Sequence, residues 1–186
     1  DRLENKELEK FVKKAVEHGF SFDNREATLE LVIPYDKYLE WFRSYVSDKM
    51  GSYLQLESDR IVLKEGSLAA TWNDVGDELV RLEQFLKKWP DFTFHLKLKE
   101  RYIRNLRLYF HGSINTFPFQ HGTDVLKDEV KASYQYVMET YPDTTTASIV
   151  REYYEKLEDN HFRELQSEYT PKPLPKFLKG VEKSAQ

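Results

Sequence analysis

The stretch FTFHLKLKERYIRNLRLYFH, residues 92–111, decides how this chain is read. In its first half Phe92, Phe94, Leu96 and Leu98 alternate with Thr93, His95, Lys97 and Lys99. In its second half Leu106, Leu108 and Phe110 alternate with Asn105, Arg107, Tyr109 and His111. A period of two is the mark of a strand with one buried face. Read so, 92–99 and 103–111 form an antiparallel pair with both apolar sets on one side. A slip of one residue would turn every core side chain to water, which makes the register a strong constraint.

Upstream, residues 27–33 (Ala-Thr-Leu-Glu-Leu-Val-Ile) alternate and are β-rich, and Pro34 ends them. Asp36 suits a helix N-cap, and Tyr38, Phe42, Tyr45, Val46 and Met50 make one stripe over 37–50, closed by Gly51. Residues 53–57 and 60–64 read as a hairpin around Ser58 and Asp59, with 67–72 a further strand. Asn73 and Asp74 then cap a helix over 75–89, with Val75, Leu79, Leu82, Leu86 and Trp89 inward and Pro90 as the stop. At the start of the chain, Leu8, Phe11, Val12, Ala15 and Val16 recur at helical spacing before Gly19.

The order β-α-β-β-α-β-β predicts an α+β fold with a ferredoxin-like antiparallel sheet, preceded by an N-terminal helix. Downstream of a loop over 113–122, helices are expected over 123–141 and from the Thr144–Thr146 cluster toward Gln166, with Pro142 between them. So short a link predicts a C-terminal helical hairpin. The expected organisation is a sandwich domain over 1–122, the hairpin over 123–170 packed on it, and a Pro/Lys-rich tail over 171–186 carrying Pro171, Pro173 and Pro175.

The 186 residues are 40% hydrophobic, with 12 Phe, 12 Tyr and 3 Trp, enough to build a core without staples. There is no cysteine, which excludes disulfide frameworks, thiolate zinc sites and thiol nucleophiles. No apolar run approaches the roughly 20 residues that span a bilayer. A cytoplasmic protein with no membrane contact is expected, although a chain beginning on Asp1 would keep no trace of a removed leader. Net charge is −4 and unevenly spread: 91–112 holds Lys97, Lys99, Arg101, Arg104 and Arg107 against Asp91 and Glu100. Such segregation marks a partner-facing surface or a solvated face.

Two constellations carry candidate chemistry. The polar face of the expected sheet would show Thr28, Glu30, Gln55, Glu57, His95, Lys97, Arg107, Tyr109 and His111. Aromatic rings stack bases and cations pair phosphates, so the basic hairpin 92–111, with His95, Lys97, Lys99, Arg107 and Tyr109, is a candidate nucleic-acid site. The plainer reading is a wetted face of an antiparallel sheet. The loop after residue 109 repeats His-Gly at His111 and His121 and ends on Asp124; two imidazoles and a carboxylate form a candidate metal site for a hydrolase. Its plainer reading is a pair of turns.

Glycine-rich phosphate loops, a Gly-x-Ser-x-Gly elbow and His-Glu-x-x-His are missing, so catalysis and a cofactor are not expected. Tyr136, Tyr141, Tyr154 and Tyr169 exceed what one inward stripe on the C-terminal helices absorbs, and exposed tyrosine favours interfaces. Trp41 and Trp72 read as core or edge residues; one exposed beside the stripe would instead be a binding anchor. The expectation is a non-catalytic protein-interaction or regulatory module whose partner is a protein. Nucleic-acid binding through 92–111 and metal-assisted hydrolysis through His111 and His121 are the alternatives.

Overall fold

The computed structural model describes residues 2–25, 28–165, 169, 171 and 175–178. Ala27, Gln166 and most of the tail expected over 171–186 lie outside them. Helices dominate, in the order α1 (Arg2–Glu17), β1 (Ser21–Arg25), β2 (Thr28–Val32), α2 (Tyr35–Phe42), α3 (Asp48–Ser58), β3 (Leu63–Lys64), β4 (Ser67–Leu68), α4 (Trp72–Lys88), α5 (His95–His111), α6 (Asp128–Thr140) and α7 (Thr145–Asp159), with a 3-10 turn at Lys176–Leu178. The sheets are two separate two-stranded hairpins, β1-β2 and β3-β4. The chain divides into two compact units, Asp1–Asp59 and Arg60–Gln186.

The ferredoxin-like fold is therefore wrong, and the deciding stretch is where it fails. Residues 95–111 form one continuous helix. Leu98, Tyr102, Leu106, Tyr109 and Phe110 are buried, at spacings of four, four, three and one. That helical period runs through the two short alternations and outlasts them. Between the supposed strands stand Glu100, Arg101 and Tyr102, none of them able to make a tight hairpin turn. Leu, Lys, Glu and Arg also lose little rotamer freedom in a helix. Likewise 53–57 belongs to α3, which Ser47 opens by accepting the Met50 N–H at 3.3 Å, and Gly51 lies inside that helix rather than ending one. Only the 27–33 strand survives at length, as β2. Beyond Asp59 the strands shrink to a four-residue ladder that turns on Glu65 (φ 50°) and Gly66 (φ 73°), the positive pair typical of a two-residue hairpin.

The second unit is a four-helix arrangement with α4 at its centre, touching α5, α6 and α7, while α6 also packs on α7. Thr71 and Asp74 form a reciprocal capping box at the start of α4. The Thr71 hydroxyl bond, more than its backbone bond, holds the Asp74 carboxyl below its usual value. Val75, Leu79 and Leu82 of α4 are fully buried, each contributing about 2 kcal/mol by removal of apolar surface from water. The C-terminal turn of α5 is closed by its neighbours. Tyr134 of α6 donates to the Tyr109 carbonyl at 2.9 Å, and Tyr153 of α7 donates to the Phe110 carbonyl at 3.3 Å. Those carbonyls have no intrahelical donor at a helix end, so two buried phenols do the work of a cap.

Gly76 sets how close α4 and α6 approach. A Cβ there would stand 2.5 Å from Val137 Cγ2 and 3.1 Å from the Tyr109 hydroxyl. Val137 is β-branched, fully buried and held to one rotamer in its helix, so it cannot yield. Gly76→Val should lower stability by about 2–3 kcal/mol through overpacking, read as a reduced urea midpoint at unchanged slope.

Candidate functional site

In the first unit, β1 and β2 pair antiparallel with Phe22 opposite Leu31, so these two side chains share a face with Leu29. Phe11 of α1 meets Phe22 edge-on, ring centroids 6.4 Å apart, which lays the helix against that face. The cover is incomplete: Leu8, Phe11, Val16, Leu29 and Leu31 all remain exposed. On α2, Tyr38, Trp41 and Phe42 form a mutual ring cluster with centroids 5.7–6.4 Å apart. No residue of α2 is buried. Trp41 is 49% exposed, Phe42 45% and, just beyond the helix, Tyr45 85%.

Among the described residues of this unit, eleven large apolar side chains are exposed, whereas Ala15, Tyr53, Leu54 and Leu56 are the buried apolar ones. Scattered exposed leucines need no explanation, but a unit with more large apolar groups outside than inside does. Trp41, Phe42 and Tyr45 are large, stiff aromatic side chains of the kind that anchors interfaces, and Trp41 and Tyr45 add a polar tip.

The second unit contains a different kind of chemistry, buried ionic groups that face inward. Arg101 donates from Nε to Glu78 Oε1 at 2.6 Å and also from Nη2, while the Ile61 N–H donates to Glu78 Oε2 at 2.9 Å. Glu83 sits against the start of α7: it accepts from the N–H groups of Thr145 (2.7 Å) and Thr146 (2.6 Å), from the Thr146 hydroxyl (2.6 Å) and from Lys87. With the Thr146 proton given to Glu83, the Tyr102 hydroxyl must donate to Thr146, 2.9 Å away. Burial pushes the Tyr102 hydroxyl above its ordinary value. Asp77 accepts from Tyr136 at 3.1 Å and Tyr141 at 2.8 Å, tying the C-terminal half of α6 to α4. These groups are saturated by one another, which is what a structural network requires.

The residues expected at the nucleic-acid site do not share a face. All five lie on α5, where Lys97 is two positions from both His95 and Lys99 and Arg107 two from Tyr109, steps that point to opposite sides of a helix. Tyr109 is fully buried, its hydroxyl 2.8 Å from Ser133 Oγ, and presents no ring to a base. Glu30 is in β2 and Gln55 and Glu57 are in α3, so no sheet joins them to α5.

The metal candidates separate as well. His111 Nε2 accepts the Tyr169 N–H at 3.2 Å, a tether for the segment after α7. His121 is exposed on a turn, and Asp124, with φ 55°, uses its carbonyl to accept the Glu164 N–H at 2.8 Å. Among the described residues no three His, Asp or Glu side chains gather as metal ligands.

The tyrosines expected on the surface are mostly absorbed. Tyr169 is buried, Tyr136 and Tyr141 are half-buried on Asp77, and Tyr154 packs edge-on against Phe162. Trp72 is buried beside Tyr109, which leaves Trp41 as the exposed one of the two tryptophans singled out. The sequence reads Trp41 as a core or edge residue and Phe42 and Tyr45 as an inward stripe, whereas all three are exposed. Sequence reasoning missed Glu78 and Glu83, whose burial no local pattern announces.

Among the described residues no helix is long and apolar enough to cross a membrane. Compared with known proteins, the chain matches no family model, no curated protein and no solved structure.

Proposed function

We propose that the chain is a non-catalytic protein-interaction module whose first unit is completed by a partner protein. The observation that supports this reading is the α2 cluster, in which Trp41 and Phe42 stand in solvent on a helix with no buried residue, with the exposed Tyr45 just beyond it. Apolar rings held in one patch bind by being removed from water, and a well-packed aromatic anchor contributes about 2 kcal/mol or more. The ionic groups of the second unit support the same reading indirectly: Glu78, Glu83 and Asp77 are engaged by protein donors and offer no free acid or base.

The test compares wild-type chain with Trp41→Ser/Tyr45→Ser as bait in nuclease-treated native lysate. The expected result is a defined protein retained by wild type and reduced at least about thirtyfold in affinity by the double variant, the equivalent of losing one anchor. Iodide quenching of tryptophan fluorescence should fall when the purified partner is added. Retention that ignores the substitutions, or recovery that disappears with nuclease, would refute this assignment. Because both side chains are exposed, the variant should melt within about 0.5 kcal/mol of wild type.

A further inference from the structure

Three arginines gather where the segment entering β3 passes α5. The Ile61 N–H is bound to Glu78, which is also the partner of Arg101, so the chain brings Arg60 beside that buried pair. Arg104 and Asn105 follow Arg101 by three and four positions on α5, the spacings that put side chains on one face. Both Glu78 oxygens are committed, and Arg101 is neutralised. Arg60 and Arg104 are exposed, and among the described residues neither has a hydrogen bond or an ion pair. Asn105 is 5% exposed, and its Nδ2 has no hydrogen-bond partner among the described residues. A buried amide donor without an acceptor is costly, and in native proteins it usually has an explanation in a water or an ion.

We propose that Arg60, Arg104 and Asn105 form a site for a phosphomonoester. Two unpaired guanidiniums match the charge of about −1.5 to −2 that such a group carries at neutral pH, and their planar forks suit its oxygens. The Asn105 amide supplies a neutral donor on the inner side. A carboxylate or a phosphodiester carries one charge and would leave one guanidinium unmatched. Glu100, exposed one turn before Arg104, is the carboxylate with which the anion competes. Partial desolvation of its guanidinium, and then the like charges of Arg60 and Arg101, push the otherwise exposed Arg104 below its ordinary value, and Glu78 and Glu100 offset this only in part. An added anion relieves that repulsion. The site lies within the second unit and stands independently of the partner surface on the first.

The experiment titrates inorganic phosphate into the full chain at about pH 7.5, where the dianion prevails, with chloride holding ionic strength constant. The Asn105 side-chain amide and Arg104 Nε–H resonances are followed. Both should shift saturably, and Arg60→Gln/Arg104→Gln should weaken binding about tenfold or more, the loss expected for charge-assisted hydrogen bonds. Both arginines are exposed, so the variant keeps its fold, checked by its melt. A short single-stranded oligonucleotide without terminal phosphates provides the phosphodiester arm and should bind more weakly per phosphate. No saturable shift, or one that the double variant leaves intact, overturns the site. Tighter binding of the oligonucleotide, steeply salt-dependent and lost in the same variant, overturns the monoester assignment in favour of a nucleic-acid backbone.

Discussion

Glu83→Ala should cost about 3–5 kcal/mol, the loss expected when one partner of a buried charged network is removed. The carboxylate is 1% exposed and holds the Thr145 and Thr146 N–H groups, the Thr146 hydroxyl and Lys87. Without it, two N–H groups in the first turn of α7 lose their acceptor, and Tyr102 loses the polarised hydroxyl it donates to. Lys87 is about half exposed and can turn to water, so it adds little to the loss.

The same site gives stability a pH dependence. Burial alone would raise the Glu83 carboxyl. The bonds from Lys87, Thr146 and Thr145 outweigh it and hold the group below its ordinary value of 4.5. A folded value below the unfolded one means a contribution fully present above about 4.5, the unfolded carboxyl value, and lost as pH falls through the folded value. Urea unfolding followed from neutral pH into the acid range should show this loss in wild type and a flatter acid limb in Glu83→Ala. Equal acid limbs in both proteins would mean that Glu83 does not anchor α7.

Glu78→Leu should destabilise by a similar amount, about 3–5 kcal/mol, because it removes the carboxylate that accepts from Nε and Nη2 of the buried Arg101 guanidinium. Arg101 is 4% exposed and Glu78 1%, so neither can reach solvent without opening the packing of α4 on α5. Replacing both, Glu78→Leu/Arg101→Leu, should recover part of the loss, with the Ile61 N–H among the groups left unsatisfied, at about 1–2 kcal/mol. A double-mutant cycle from urea midpoints should therefore report a coupling above about 2 kcal/mol. If the single variant costs under about 1 kcal/mol, water reaches the pair and the buried site is misdescribed.

What could be read from the sequence depended on how local its cause was. Thr71 and Asp74 at the start of α4, Thr144 at the start of α7 and the helical stripes of α4, α6 and α7 follow from neighbours within four residues. Of these, Asp74, the start at Thr144 and the stripes were legible; Thr71 reads from the sequence as the end of a strand, and the helix expected from residue 123 begins at Asp128. The 92–111 stretch was not legible, because its short alternations satisfy a period of two while its full length satisfies 3.6. Length decides between them, together with the missing turn residue, and both signals were present in Glu100, Arg101 and Tyr102. One wrong period then produced a sheet that brought His95, Arg107 and Tyr109 together on paper.

By itself the sequence determined that this is a cysteine-free, aromatic-rich chain whose last helices are separated by Pro142 and started by Thr144. These properties are set by composition and by contacts between near neighbours. Only the tertiary structure decided that Tyr109 is buried on Ser133, that His111 accepts from Tyr169 rather than meeting His121, and that Trp41 stays in solvent while Trp72 does not. A helix exposes or hides a residue according to what packs on it, and the partners in these cases lie 24 or more positions away. Charge burial follows the same rule. Glu78 and Glu83 look like any surface acids along α4, and become structural only because Arg101, Thr145 and Thr146 arrive from distant helices to match them.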